Sequence, residues 1–154
     1  MQARSRVPVA TLMQADFEIA DQFSFLEKER GFRCVHRSYD QKFFGNAIVE
    51  YVSATLRVRV VKDRGQFECD FARPKGVPEW FDADVVLRAL GEDGTIDALT
   101  AQSWSSLHDL ARTIRDRLDR ISELFAERNY RQTRARFQEV LRQRVAKNFG
   151  AIEP

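Results

Sequence analysis

Cys34 and His36 stand two residues apart in a stretch rich in Val, Tyr and Phe, and Cys69 falls in a second apolar stretch. On a strand that spacing puts Cys34 and His36 on one face, so thiolate and imidazole ligation of a metal is the first chemistry to weigh. Three ligands suffice for a catalytic zinc, but no paired Cys or His motif accompanies them. They read instead as a core thiol at Cys69 and an edge histidine at His36, with no metal held. His108 lies beside Asp109 at the border of a helical stripe, and spacing ties the pair to no serine or cysteine nucleophile. Glu50, Glu68, Asp70, Asp82 and Asp84 are available for acid–base work. Glu50 and Asp70 each face an arginine in the strand pairing set out below, which suits a charged carboxylate and not a general acid. Asp63-Arg64-Gly65-Gln66 carries a single glycine and joins two strands, so it is no phosphate-cradling loop. The chain is expected to be non-catalytic, with no cofactor.

The elements that position these residues are clearest between Asn46 and Phe71. Alternation predicts strands at Asn46–Val52, Thr55–Lys62 and Phe67–Phe71, broken at Ser53-Ala54 and at Asp63–Gln66. Pairing Val52 with Thr55 sets Tyr51 opposite Leu56, Val49 opposite Val58 and Ala47 opposite Val60. Pairing Lys62 with Phe67 sets Val60 opposite Cys69 and Val58 opposite Phe71. Both registers gather apolar side chains on one face, and a one-residue slip would scatter them. The other face then sets Glu50 opposite Arg57 and Arg59 opposite Asp70.

Helices flank this sheet. Leu12, Ala15, Ile19, Phe23 and Leu26 form a stripe that predicts one helix from about Thr11 to Arg30, closed by Gly31. Phe32–Tyr39 reads as a poorly alternating strand. Arg73-Pro-Lys-Gly-Val-Pro is a breaker segment, and a short helix at about Ala83–Leu90 follows, with Asp82 as N-cap and Phe81 and Val86 as a staple. Trp104, Leu107, Ala111, Ile114, Leu118, Ile121 and Phe125 share one sector of the clearest helix, and Ser106 with Asp109 resembles its capping box. The phase is lost at Glu127–Tyr130. A last helix, about Tyr130–Asn148, turns Tyr130, Phe137, Leu141 and Val145 inward. Together these predict an α+β fold: an N-terminal helix, an antiparallel meander of about four strands, then three helices on one sheet face.

A length of 154 residues suits one domain, here residues 11–150 behind a loose tail at 1–10. The 44% hydrophobic and 31% charged content is ordinary globular composition. No run approaches the ~18 apolar residues of a membrane helix, and no apolar segment follows the positive charges of the first residues. Cytoplasmic residence with reduced thiols is the expectation. The net charge of +2 hides an asymmetry, because residues 128–149 hold seven cations against Glu139 alone. Such a basic end can serve nucleic acid or an acidic protein. On a helical wheel its charges wrap around the helix, with Arg131 and Arg142 near each other, and form no single ridge for a phosphate backbone.

Protein binding is the favoured expectation, with another protein or a second copy as partner, and nucleic acid on the last helix as the alternative. Phe17 and Phe25 lie off the first helix's stripe, where they would leave apolar area wet unless covered. Arg131 and Arg142 would steer an acidic partner, and Arg59 lies on the open sheet face. Phe43-Phe44 adds two further aromatics in a loop.

Phe43-Phe44-Gly45-Asn46, the Thr55–Gln66 strand and turn, Trp80-Phe81-Asp82 and the closing Arg144 and Asn148-Phe149-Gly150 resemble a widespread group of small, uncharacterised bacterial proteins. The resemblance covers residues 23–150. In architecture the group is similar to the compact α+β immunity factors that bacteria use against toxins, which implies an inhibitor or accessory subunit and no catalytic residue.

Overall fold

The computed structural model describes residues 14–42, 45–91 and 106–149. Five strands form one antiparallel sheet in sequence order: β1 (Arg33–Asp40), β2 (Asn46–Val52), β3 (Arg57–Asp63), β4 (Gln66–Ala72) and β5 (Phe81–Asp82). Before it come α1 (Ala15–Gln22) and α2 (Ser24–Glu29), and after it α3 (Ala83–Ala89), α4 (Leu107–Phe125) and α5 (Glu127–Phe149). The fold is α+β, with the helices on the face that carries Val49, Tyr51, Val58, Val60 and Phe71. The expected four strands become five because Phe81-Asp82 pairs with β4 just before α3 begins.

The β3–β4 hairpin has the expected register, Val60 opposite Cys69 and Val58 opposite Phe71. Its turn is tighter than expected, for Asp63 pairs with Gln66 and only Arg64 and Gly65 bend the chain. Both have positive φ, 50° and 81°, the primed geometry that matches strand twist. The Arg64 N–H donates to Asn46 Oδ1 at 3.1 Å, which helps hold a non-glycine residue there.

The β2–β3 hairpin is shifted by two residues from expectation: Val52 pairs with Arg57, Tyr51 with Val58 and Val49 with Val60. Ser53 is the cause. Its Oγ accepts the N–H groups of Thr55 (3.2 Å) and Leu56 (3.1 Å), and its own N–H donates to the Leu56 carbonyl at 2.9 Å. That closes a wider turn than two residues could and sends Leu56 into the core. A shift of two keeps every side chain on its face, so the sorting of apolar from charged residues is unchanged.

Helix ends follow the sequence signals. Asp82 caps α3 by accepting the Val85 N–H at 3.0 Å, and Ser106 caps α4 by accepting the Asp109 N–H at 3.3 Å. The α4–α5 break falls at Ala126 (ψ 140°), slightly earlier than expected. In α5, Tyr130, Thr133 and Phe137 are buried, while Val145, expected inward, is exposed. Phe137 joins Phe81 (4.7 Å between centroids) and Phe125 (5.5 Å), which fastens α5 to the rest of the core. Leu12, Phe43-Phe44, Trp104 and the 92–105 stretch lie outside the described residues.

The single predicted N-terminal helix is two. Phe23 leaves helical geometry (φ −98°, ψ 14°), and α2 restarts at Ser24 with a new phase. That turn carries Phe25 inward beside Phe23, ring centroids 5.8 Å apart.

Tyr51 is fully buried, and its hydroxyl has no hydrogen-bond partner. Burial, and to a lesser degree Cys34 and Glu27, push its ionisation well above the ordinary 10.0. An unpaired buried hydroxyl costs about 1–3 kcal/mol, so Tyr51→Phe should leave stability unchanged or raise it by about 1 kcal/mol. Because the folded state raises this pKa, the phenol's contribution is fully present below about pH 10 and is lost as pH rises through the folded value. Urea melts at pH 8 and 11 check both points: Tyr51→Phe should lose less stability between them than the parent.

Candidate functional site

The β-bulge between Cys34 and His36 decides the first question of chemistry. Cys34 pairs with Tyr51 and so lies on the helix-covered face, whereas His36 pairs with Glu50 on the open one. The two do not share a face as their spacing predicts, and β2 and β3 separate Cys34 from Cys69. Partial burial first, and nearby carboxylates after it, push the Cys34 thiol above its usual range, which disfavours the reactive thiolate. Burial does the same to Cys69 more strongly. Among the described residues, no three His, Cys, Asp or Glu side chains are grouped as metal ligands.

Charge on the open sheet face is engaged within the chain. Arg59 pairs across to both Glu50 and Asp70 in register, and donates to Asp70 Oδ2 from Nη2 (2.8 Å) and Nε (3.1 Å). The Trp80 ring covers its guanidinium at 4.3 Å. Glu50 keeps the expected pairing with Arg57, but diagonally, at 3.4 Å. Arg57 also donates to the Pro74 carbonyl at 3.1 Å, so the 73–80 segment folds over this part of the sheet. Arg59, expected among the partner-binding residues, is therefore an internal tie. Glu68 is the neighbouring group out of balance: burial, then Asp70, Asp63 and Asp82, raise its carboxyl above the usual range.

The basic end of the chain is largely engaged too. Arg128 pairs with Glu123, Arg134 with Glu79 (2.9 Å), and Arg142 with Glu139 on its own helix (2.5 Å). Arg144 reaches Asp82 (3.0 Å) and Asp84 (3.2 Å), joining the end of α5 to the start of α3. These hydrogen bonds hold the Glu123 and Glu139 carboxyls below their ordinary range. Arg131, Arg136 and Lys147 are exposed and have no ion-pair partner among the described residues. Arg131 stands roughly 140° round the helix from Arg136. The unpaired cations thus form no single ridge.

The α1–β1 rim differs from both surfaces. Phe17 is 54% exposed, and the Arg37 guanidinium lies 4.3 Å from its ring centroid. Arg37 Nε in turn donates to Asp16 Oδ2 at 2.8 Å. Asp16 is buried in the first turn of α1, and its Oδ1 has no partner. The strand that carries Arg37 is exposed on both faces except at Tyr39, and Val35, at the bulge, is 45% exposed. Among the described residues, nothing pairs with its outer edge. Phe25, expected beside Phe17 on this surface, is instead 5% exposed and belongs to the core. The edge was within reach of sequence reasoning, because Arg33, His36, Arg37, Ser38 and Asp40 leave polar residues on both faces of one strand.

Comparison with protein-family models, curated proteins and solved structures returns no match. Among the described residues no helix is long and apolar enough to cross a membrane.

Proposed function

We propose that this chain is a non-catalytic protein-binding domain, of the kind an immunity-type inhibitor or accessory subunit uses, and that the α1–β1 rim is its binding surface. One observation carries the reading: an exposed phenylalanine, Phe17, is covered by an arginine that a buried aspartate holds in place. Aromatic and arginine side chains dominate the energetics of protein interfaces. Fixing them before the partner arrives reduces the ordering cost of binding. Arg131, exposed and without an ion-pair partner among the described residues, adds a long-range attraction for an acidic partner.

The test is affinity capture from the native host with the parent, Phe17→Ala and Phe25→Ala. Phe17→Ala should lose the captured protein and change stability by no more than about 1 kcal/mol. Phe25→Ala should cost about 3–5 kcal/mol, as a truncated core ring does. Capture of the same proteins by Phe17→Ala and the parent would overturn the reading.

A further inference from the structure

We infer that the occupant of the β1 edge is a second copy of this chain, paired antiparallel through residues 36–40 about a two-fold axis at Ser38. This rests on the reading of the α1–β1 rim as a binding surface, and it joins two five-stranded sheets into one.

An exposed strand edge offers a row of unpaired N–H and C=O groups, and proteins usually blunt it with Lys, Pro or a bulge. β1 is eight residues long and contains neither Lys nor Pro, and its inward-facing charge, Arg37, is already paired with Asp16 within the chain. Its bulge distorts only the first half, for His36 to Asp40 run in unbroken register with β2. Those five residues therefore present a regular outer edge.

Symmetry then narrows the register. A two-fold axis perpendicular to the sheet keeps the faces of both copies aligned only if one residue meets its own counterpart. With Arg37 on the axis, two guanidinium groups would stand opposite each other, which is unfavourable. With Tyr39 on the axis, the paired segment shrinks at the end of the strand. With Ser38 on the axis, Arg37 stands opposite Tyr39 of the second copy and His36 opposite Asp40. Both pairs are complementary. Arg37 gains a second aromatic neighbour beside the Phe17 ring it already covers. Asp40 uses Oδ1 to accept the Lys42 N–H at 3.0 Å, while its Oδ2 and the His36 ring have no partner among the described residues. An imidazole N–H and a carboxylate oxygen thus meet twice across the axis.

Sedimentation equilibrium of the purified full chain tests this, with circular dichroism to confirm that each variant is folded. The parent should dimerise, and Ser38→Lys, which sets two ammonium groups on the axis, should be monomeric. His36→Asp and Asp40→His should each weaken the dimer on the order of tenfold, since every substitution acts twice. The His36→Asp/Asp40→His double variant re-creates the pair with its members exchanged and should recover the dimer. The outward-pointing amides within residues 36–40 should exchange more slowly as protein concentration rises. A parent that stays monomeric at high concentration, or a dimer that Ser38→Lys leaves intact, overturns the inference. If the parent is monomeric while Phe17→Ala still loses a captured protein, the binding reading stands and only the second copy is excluded. If Phe17→Ala loses nothing either, both fall.

Discussion

Val58→Asp should abolish cooperative folding, with loss of the near-ultraviolet circular dichroism and of the urea transition. Val58 is fully buried near the start of β3, between Tyr51 on β2 and Phe71 on β4. A carboxylate there meets only apolar neighbours, so it must stay uncharged or draw water inward, and either costs several kcal/mol. Total stability for a domain of this size is about 5–15 kcal/mol. The control is three residues along the same strand. Val61 lies on the open face opposite Ile48 and Glu68, so Val61→Lys sets an ammonium across from a carboxylate. It should change stability by less than about 1 kcal/mol. Equal effects from the two substitutions would refute the assignment of faces.

The second large effect is expected at Phe137. This ring is fully buried and lies against Phe81 and Phe125, while Phe125 also contacts Phe71 and Tyr130. Beyond it, among the described side chains, α5 packs only Val140 and Leu141 on the core, both partly buried. Phe137→Ala should cost about 3–5 kcal/mol, or roughly 10 °C of Tm. Hydrogen exchange should show α5 amides after residue 137 losing protection before those of β2 to β4 do. A melting temperature within a degree or two of the parent would mean that the Arg144 pairs with Asp82 and Asp84 hold the helix by themselves.

The sheet was largely legible from residue types because alternation reports faces directly. Val49, Tyr51, Val58, Val60, Cys69 and Phe71 share the buried side as expected. The β3–β4 register followed as well, since its turn residues permit a tight bend. The β2–β3 register did not, because two candidate turns differing by two residues sort the side chains identically, and the choice rests on hydrogen bonds from Ser53. A helical wheel assumes unbroken phase, so it could not anticipate the turn at Phe23 that takes Phe25 into the core while leaving Phe17 outside. The same assumption of evenness failed at the Cys34–His36 bulge. Of the candidate surface, Phe17 could be read from its position, but its clamp could not: Asp16 and Arg37 are twenty-one residues apart and meet only through packing of α1 on β1.

The sequential order of the strands bears on how the chain emerges during synthesis. β2 to β5 each pair with the strand made just before, so every ladder closes a short loop at small entropic cost. The sheet can therefore form while the ribosome has yet to make α4 and α5. Until those helices arrive, Phe71 on β4 lacks the Phe125 ring that packs against it, and the β1 edge is open on the other side of the sheet. A nascent chain paused near residue 91 would carry a finished but half-naked sheet. Chains truncated there should need a chaperone to stay dispersed, whereas full-length chains should not.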